Sequence, residues 1–140
     1  VNGLSTIDEA GIARLVHAFY ARVRADAELG PIFNDAIEDW PGHLEKLAAF
    51  WSSVMLTSGR YKGQPVPAHL KHKSRIPPAL FDRWLRLWKQ TSDELMEPDA
   101  ALALQEKASR IAESLKLAMY FRLDRQSART KDSLQRSAQA

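Results

Sequence analysis

Along the chain, apolar and polar positions alternate with the period of an α-helix in several segments, separated by short polar or proline-bearing breaks. In the first segment Ile12, Leu15, Val16, Phe19, Tyr20 and Val23 are all apolar, which is one unbroken helix face. Thr6-Ile7-Asp8-Glu9 stands ahead of it. Thr6 with Glu9 three positions on forms a capping box, so Thr6 is the predicted helix opener. Leu29-Gly30-Pro31-Ile32-Phe33-Asn34 follows. Gly30 as a left-handed cap and Pro31 as a residue that cannot extend a helix predict a break there. Phe33 is then a connector residue that plugs the core from the side.

A second stripe runs behind the predicted cap Asp39 through Trp40, His43, Leu44, Leu47, Phe50, Trp51 and Val54, and Thr57-Ser58-Gly59-Arg60 closes it. The pattern then fails over Tyr61-Lys62-Gly63-Gln64-Pro65-Val66-Pro67-Ala68-His69-Leu70. Pro65 and Pro67 lack an amide hydrogen and fix φ, so regular helix does not run through them, although Pro67 suits the first turn of a short new helix ending before Pro77. Helical period resumes after Pro78 with Phe81, Trp84, Leu85, Trp88 and Leu95. It returns after Glu97-Pro98-Asp99 with Leu104, Ala108, Ile111, Leu115 and Met119. There is no strand pattern, internal repeat or glycine-rich phosphate loop. The predicted fold is all-α, with four main helices and an irregular middle.

Composition narrows the chemistry. The 140 residues suffice for one domain with one core. The absence of cysteine excludes disulfides, thiolate-held metals, cysteine nucleophiles and covalent c-type attachment of a cofactor. No apolar run approaches the ~20 residues of a membrane span and no secretory signal pattern opens the chain, so a cytoplasmic protein is expected. The net charge of +3 belongs to the last stretch: residues 120–140 hold five Arg/Lys against two Asp, while the preceding 119 residues hold 15 charges of each sign. Residues 1–124 therefore read as the folded domain and residues 125–140 as a basic, disordered tail. Nothing in the domain resembles a DNA-reading module, and no nucleic-acid partner is expected.

Among polar side chains, His69 is presented on the proline-fixed stretch, where a neutral imidazole can ligate a metal. A histidine after two prolines is ordinarily a solvated loop residue, so the rest of the chain has to decide. His72 makes an H-x-x-H pair with it, but no acidic third ligand lies nearby. Tyr20 and His43 sit on core-facing stripes, where a polar group must find a partner. All four tryptophans fall within residues 40–88, around the place where a bulky flat ligand would be enclosed, although an aromatic core requires none.

Taken together, several words in fixed order resemble the truncated haemoglobins, specifically their third group, over residues 6–121. These are Phe19-Tyr20 with Val23-Arg24, Leu29-Gly30-Pro31-Ile32-Phe33-Asn34, Trp40 with His43, Phe50-Trp51, Tyr61-x-Gly63-x-Pro65-x-x-x-His69, and Phe81-x-x-Trp84-Leu85. The resemblance implies a globin-like truncated helical sandwich enclosing haem b, with His69 as proximal iron ligand. Tyr20, His43 and Trp84 match the distal tyrosine, histidine and tryptophan. Leu47 matches an apolar distal position and Phe33 the aromatic at the haem edge, and Arg75 is assigned to the propionates. The chain lacks the glycine pairs that shape an apolar tunnel in other groups, so no tunnel is expected. O₂, NO and CO are the implied ligands, with a reductase as electron source. NO oxidation or peroxide reduction is the expected chemistry rather than transport; the alternative is a haem-based sensor or store whose basic tail docks a partner.

Overall fold

A computed structural model describes residues 3–61 and 77–117 of the chain. These hold five helices: α1 Glu9–Ala25, α2 Leu29–Ala36, α3 Trp40–Leu56, α4 Pro78–Leu95 and α5 Pro98–Lys116. α1 is the central strut, packed against α2, α3 and α4, while α5 packs along α4. The six apolar positions that define the α1 stripe are all buried, as a period-3.6 face demands when it is surrounded by three partners. No described helix is long and apolar enough to cross a membrane. His69, His72 and Arg75, the short helix expected from Pro67, and the tail at residues 125–140 lie outside the described residues.

Two local expectations are corrected. The N-cap of α1 is Asp8, not Thr6: Asp8 Oδ1 accepts from Gly11 N at 2.7 Å, and Thr6 Oγ1 donates to Asp8 Oδ2 at 3.2 Å. A charged acceptor nearer the helix outcompetes the hydroxyl. Glu9 is thereby free for another task. It accepts from the buried Ser52 hydroxyl and pairs with Arg60, and Ser52 in turn lies 2.6 Å from the Ser58 hydroxyl. Together with Tyr61 N donating to Ser53 Oγ at 2.8 Å, these bonds stitch the exit of α3 to the start of α1.

The second correction concerns Leu29-Gly30-Pro31, which opens α2 rather than breaking the chain. Pro31 is the third residue of that helix, a first-turn position where its missing N–H has no intrahelical partner to lose. Phe33 is therefore helical, and the described helices number five rather than four. Gly30 is needed for closeness, not for a left-handed cap: a Cβ there would lie 2.6 Å from the Arg24 carbonyl oxygen. The true break is at residues 26–28. Asp26 Oδ2 accepts from Glu28 N and Leu29 N at 3.0 and 2.9 Å, while the Arg83 Nε of α4 donates to Asp26 Oδ1 and Oδ2 at 3.0 and 2.8 Å. One carboxylate thus joins α1, α2 and α4. The Arg83 guanidinium holds its pKa down to about 2.

The α4–α5 seam is closed by polar groups that each find a partner. Trp88 Nε1 donates to the Leu104 carbonyl at 3.1 Å, Ser92 Oγ donates to the Trp88 carbonyl at 2.7 Å, and Gln105 Nε2 donates to Ser92 Oγ at 2.9 Å and Asp93 Oδ1 at 2.7 Å. The N-terminal segment is pinned beside this seam. Ser5 N donates to the Leu95 carbonyl at 2.8 Å and Glu97 N to the Ser5 carbonyl at 2.9 Å.

Candidate functional site

Five sequence-predicted site residues lie on described helices, and four of them converge. Tyr20 of α1 is 3% exposed. Its ring packs 6.0 Å from Phe33 of α2 and 6.2 Å from Trp40 of α3. The His43 ring meets Trp40 edge-on at 5.9 Å. From α4, Trp84 stands 5.3 Å from Phe19 in a T-shaped contact and reaches the Tyr20 hydroxyl as a hydrogen-bonding neighbour. Leu47, one turn beyond His43, is half-buried against the same core.

Burial pushes the Tyr20 pKa well above its ordinary value, and the hydrogen bond from Trp84 pulls the other way. The phenol is consequently a neutral O–H donor throughout the physiological range. Trp84 has only a donor to offer, and Tyr20 has one hydrogen of its own. Among the described residues no acceptor takes that hydrogen. A buried hydroxyl in this condition costs free energy unless something else supplies the acceptor.

The other tryptophans have structural tasks. Trp88 stacks on Trp51 at 4.4 Å and on Trp84 at 5.7 Å, and its N–H is already committed to the Leu104 carbonyl. Trp40 carries the Arg24 guanidinium 4.5 Å over its ring. Arg24 Nε donates to Asn34 Oδ1 at 3.3 Å, and Asn34 Nδ2 returns a bond to the Arg24 carbonyl at 3.2 Å. Sequence reasoning marked Arg24, Asn34 and Trp40 as words but gave them no role, because a cation stacked on an indole from another helix has no periodic signature. A surface groove of about 570 Å³ also runs over the α4–α5 seam between Leu85, Arg86, Gln105 and Arg110. None of the expected site residues lines it.

Helices α1 to α4 thus bring a phenol, an indole and an imidazole to one aromatic wall. The chain is 34% identical over 119 residues to the group 3 truncated haemoglobin ctb of Campylobacter jejuni, covering 82% of this chain and 93% of that one. The crystal structure of a group III truncated haemoglobin from Campylobacter jejuni superposes with a TM-score of 0.76 at 33% identity, over 84% of this chain and 94% of the other. No family model matches. The chain belongs to the group 3 truncated haemoglobins, which makes it a haem globin that binds small gas ligands.

Proposed function

We propose that the chain holds haem b non-covalently through His69 and uses it for chemistry on O₂, such as NO oxidation or peroxide reduction, rather than for transport. Haem supplies the iron that binds diatomic gases and exchanges electrons with them. The observation that carries the reading is the buried Tyr20 hydroxyl, backed by Trp84 and lacking an acceptor among the described residues. An acceptor of partial negative charge, as O₂ presents and CO does so much less, completes that array. Tyr20 donates to it, while Trp84 donates to the Tyr20 oxygen and so strengthens and aims the phenol. His43 flanks the same wall beside Trp40, Phe33 packs the Tyr20 ring from the side, and Leu47 keeps the next turn of α3 apolar. Arg75 is assigned to the propionates.

Firm retention of O₂ is useful to an enzyme that must hold it for a second reactant and adverse to a carrier that must release it. A separate reductase would be the electron source for the bound group. Comparing Soret absorbance of wild type, His69→Ala and His72→Ala tests the assignment. Loss of the haem band in His69→Ala alone is expected; loss in His72→Ala alone overturns it.

A further inference from the structure

We propose that the groove over the α4–α5 seam binds a free medium-chain monocarboxylate, with the carboxylate held by Arg86 and Arg110 and the aliphatic chain laid along Leu85 and Trp88. None of Tyr20, His43 and Trp84 lines this groove, so the site stands apart from the haem reading. Arginine bonding singles it out. Seven arginines lie among the described residues, and five are engaged: Arg14 with the Gly3 carbonyl, Arg22 with Glu94, Arg24 with Asn34, Arg60 with Glu9 and Arg83 with Asp26. The remaining two, Arg86 and Arg110, have no hydrogen bond or ion pair among the described residues, and both line the groove.

The helices bring these two side chains to one end. α4 and α5 run antiparallel across the short turn Met96-Glu97. Trp88 Nε1 reaches the Leu104 carbonyl at 3.1 Å and Gln105 Nε2 the Lys89 carbonyl at 3.4 Å, while Leu85 and Ile111 pack on the same cluster of Phe81, Ala112 and Leu115. Arg86 and Arg110 therefore share the end of the groove away from that turn, on opposite sides of the seam. The carboxylates within a turn of them do not answer them. Glu113 pairs with Lys116 at 2.7 Å, and the charge of Asp82 also acts on Lys116. Farther along, Asp93 holds Lys89 at 2.8 Å and Gln105 at 2.7 Å.

Two like charges at one end of a groove repel, and a carboxylate between them removes that repulsion while accepting N–H bonds in the fork geometry of a guanidinium. Glu106, one turn before Arg110, also lines the groove and makes no ion pair. With Lys89 neutralised by Asp93, two guanidiniums against Glu106 leave a single net positive charge. The site thus suits a monoanion and disfavours a phosphate dianion. Its volume of about 570 Å³ falls in the roughly 300–1,000 Å³ range of small-molecule sites. Leu85, Trp88 and the aliphatic stems of Arg86 and Lys89 supply apolar walls, and a seam between two helices is a long, narrow channel that matches an extended chain.

The test titrates octanoate into the haem-loaded full chain in its diamagnetic CO-bound ferrous form, following nitrogen–proton NMR signals. The Arg86 and Arg110 Nε–H signals and the Trp88 indole N–H should shift saturably and together. Both arginines are exposed, so Arg86→Gln and Arg110→Gln should keep the melting temperature of the wild type. Each should weaken octanoate about two- to fivefold, and the two together about five- to twentyfold. Glu106→Gln should tighten it about two- to fivefold. Hexanoate, octanol and the octyl phosphate dianion should all bind more weakly than octanoate. Shifts that do not saturate, an unchanged affinity in the double variant, or tighter binding of octyl phosphate would each overturn the proposal. Anionic phosphatidylglycerol vesicles decide the source of the ligand: vesicle binding that octanoate displaces and the double variant abolishes would make the groove a lipid-surface contact and overturn the free-molecule assignment, whereas no vesicle binding is expected.

Discussion

Trp84 and Trp88 stand one turn apart on α4, stacked 5.7 Å from each other with nearly parallel planes, yet they belong to opposite kinds of interior. Around Trp88 every polar group is answered: its N–H by the Leu104 carbonyl, Ser92 by the Trp88 carbonyl, Ser92 again by Gln105. Around Trp84 the bonding ends on a buried Tyr20 hydroxyl whose hydrogen has no acceptor among the described residues. The contrast separates structure from function without reference to residue type, since both regions are aromatic and both are buried. A satisfied polar group holds the fold, and an unanswered one marks where a partner from outside the described residues is called for.

The comparison breaks most sharply at Trp88. Replacing it with Ala removes a buried indole and its bond to the Leu104 carbonyl, so thermal or urea unfolding should show a loss of about 3–5 kcal/mol. Trp84→Phe should cost far less. If the two cost the same, the division of labour is wrong.

Ligand kinetics sharpen the other side. Tyr20→Phe removes a hydroxyl that has no acceptor among the described residues and takes one bond from Trp84, so stability should fall by no more than about 1 kcal/mol, while O₂ dissociation in stopped flow should rise about ten- to a hundredfold, the equivalent of roughly 1.5–3 kcal/mol. Trp84→Phe acts through the phenol and should give a smaller acceleration. CO release should change little in either, and equal changes for both gases would reduce the pair to packing.

The smallest expected effect is acid sensitivity at the joint of α1, α2 and α4. Asp26 has a folded pKa of about 2, below the ~3.9 of an unfolded aspartate. Its contribution is therefore present in full above about pH 4 and is lost as pH falls toward 2. Solvent at the half-buried Arg83 keeps the effect modest. Asp26→Asn should lower stability at pH 7 and flatten this acid limb in pH-dependent unfolding; an unchanged limb would assign it to other carboxylates.

What was legible in the sequence follows from which interactions are local. The α1 stripe was readable because burial repeats every turn, and Ile12 through Val23 are buried as spaced. Asp39 was readable as a cap because its partner, Gly42 N at 3.1 Å, is three residues away. Gly30-Pro31 was misread because proline just inside a helix and proline just past one look alike; the unread cue was Asp26, an acceptor three residues before Leu29. The Asp26–Arg83 pair spans 57 residues and leaves no trace in either neighbourhood. Likewise, Tyr20 and Trp84 each read as core-facing, and the resemblance grouped them, but only the packing of α1 against α4 shows one ending on the other.

The bridge from Ser5 to the α4–α5 turn bears on how the chain comes off the ribosome. The backbone groups of Ser5 find their partners at Leu95 and Glu97, so the segment ahead of α1 is made early and has nothing to pair with until some ninety further residues have been added. At ordinary synthesis speeds that is a wait of roughly 5–20 s. During that interval Asp8, which needs only Gly11, can already start α1, and the strand-like residues before it must remain unpaired. The order of assembly thus has a helix that can begin at once and a preceding segment that fastens only after α4 has been made.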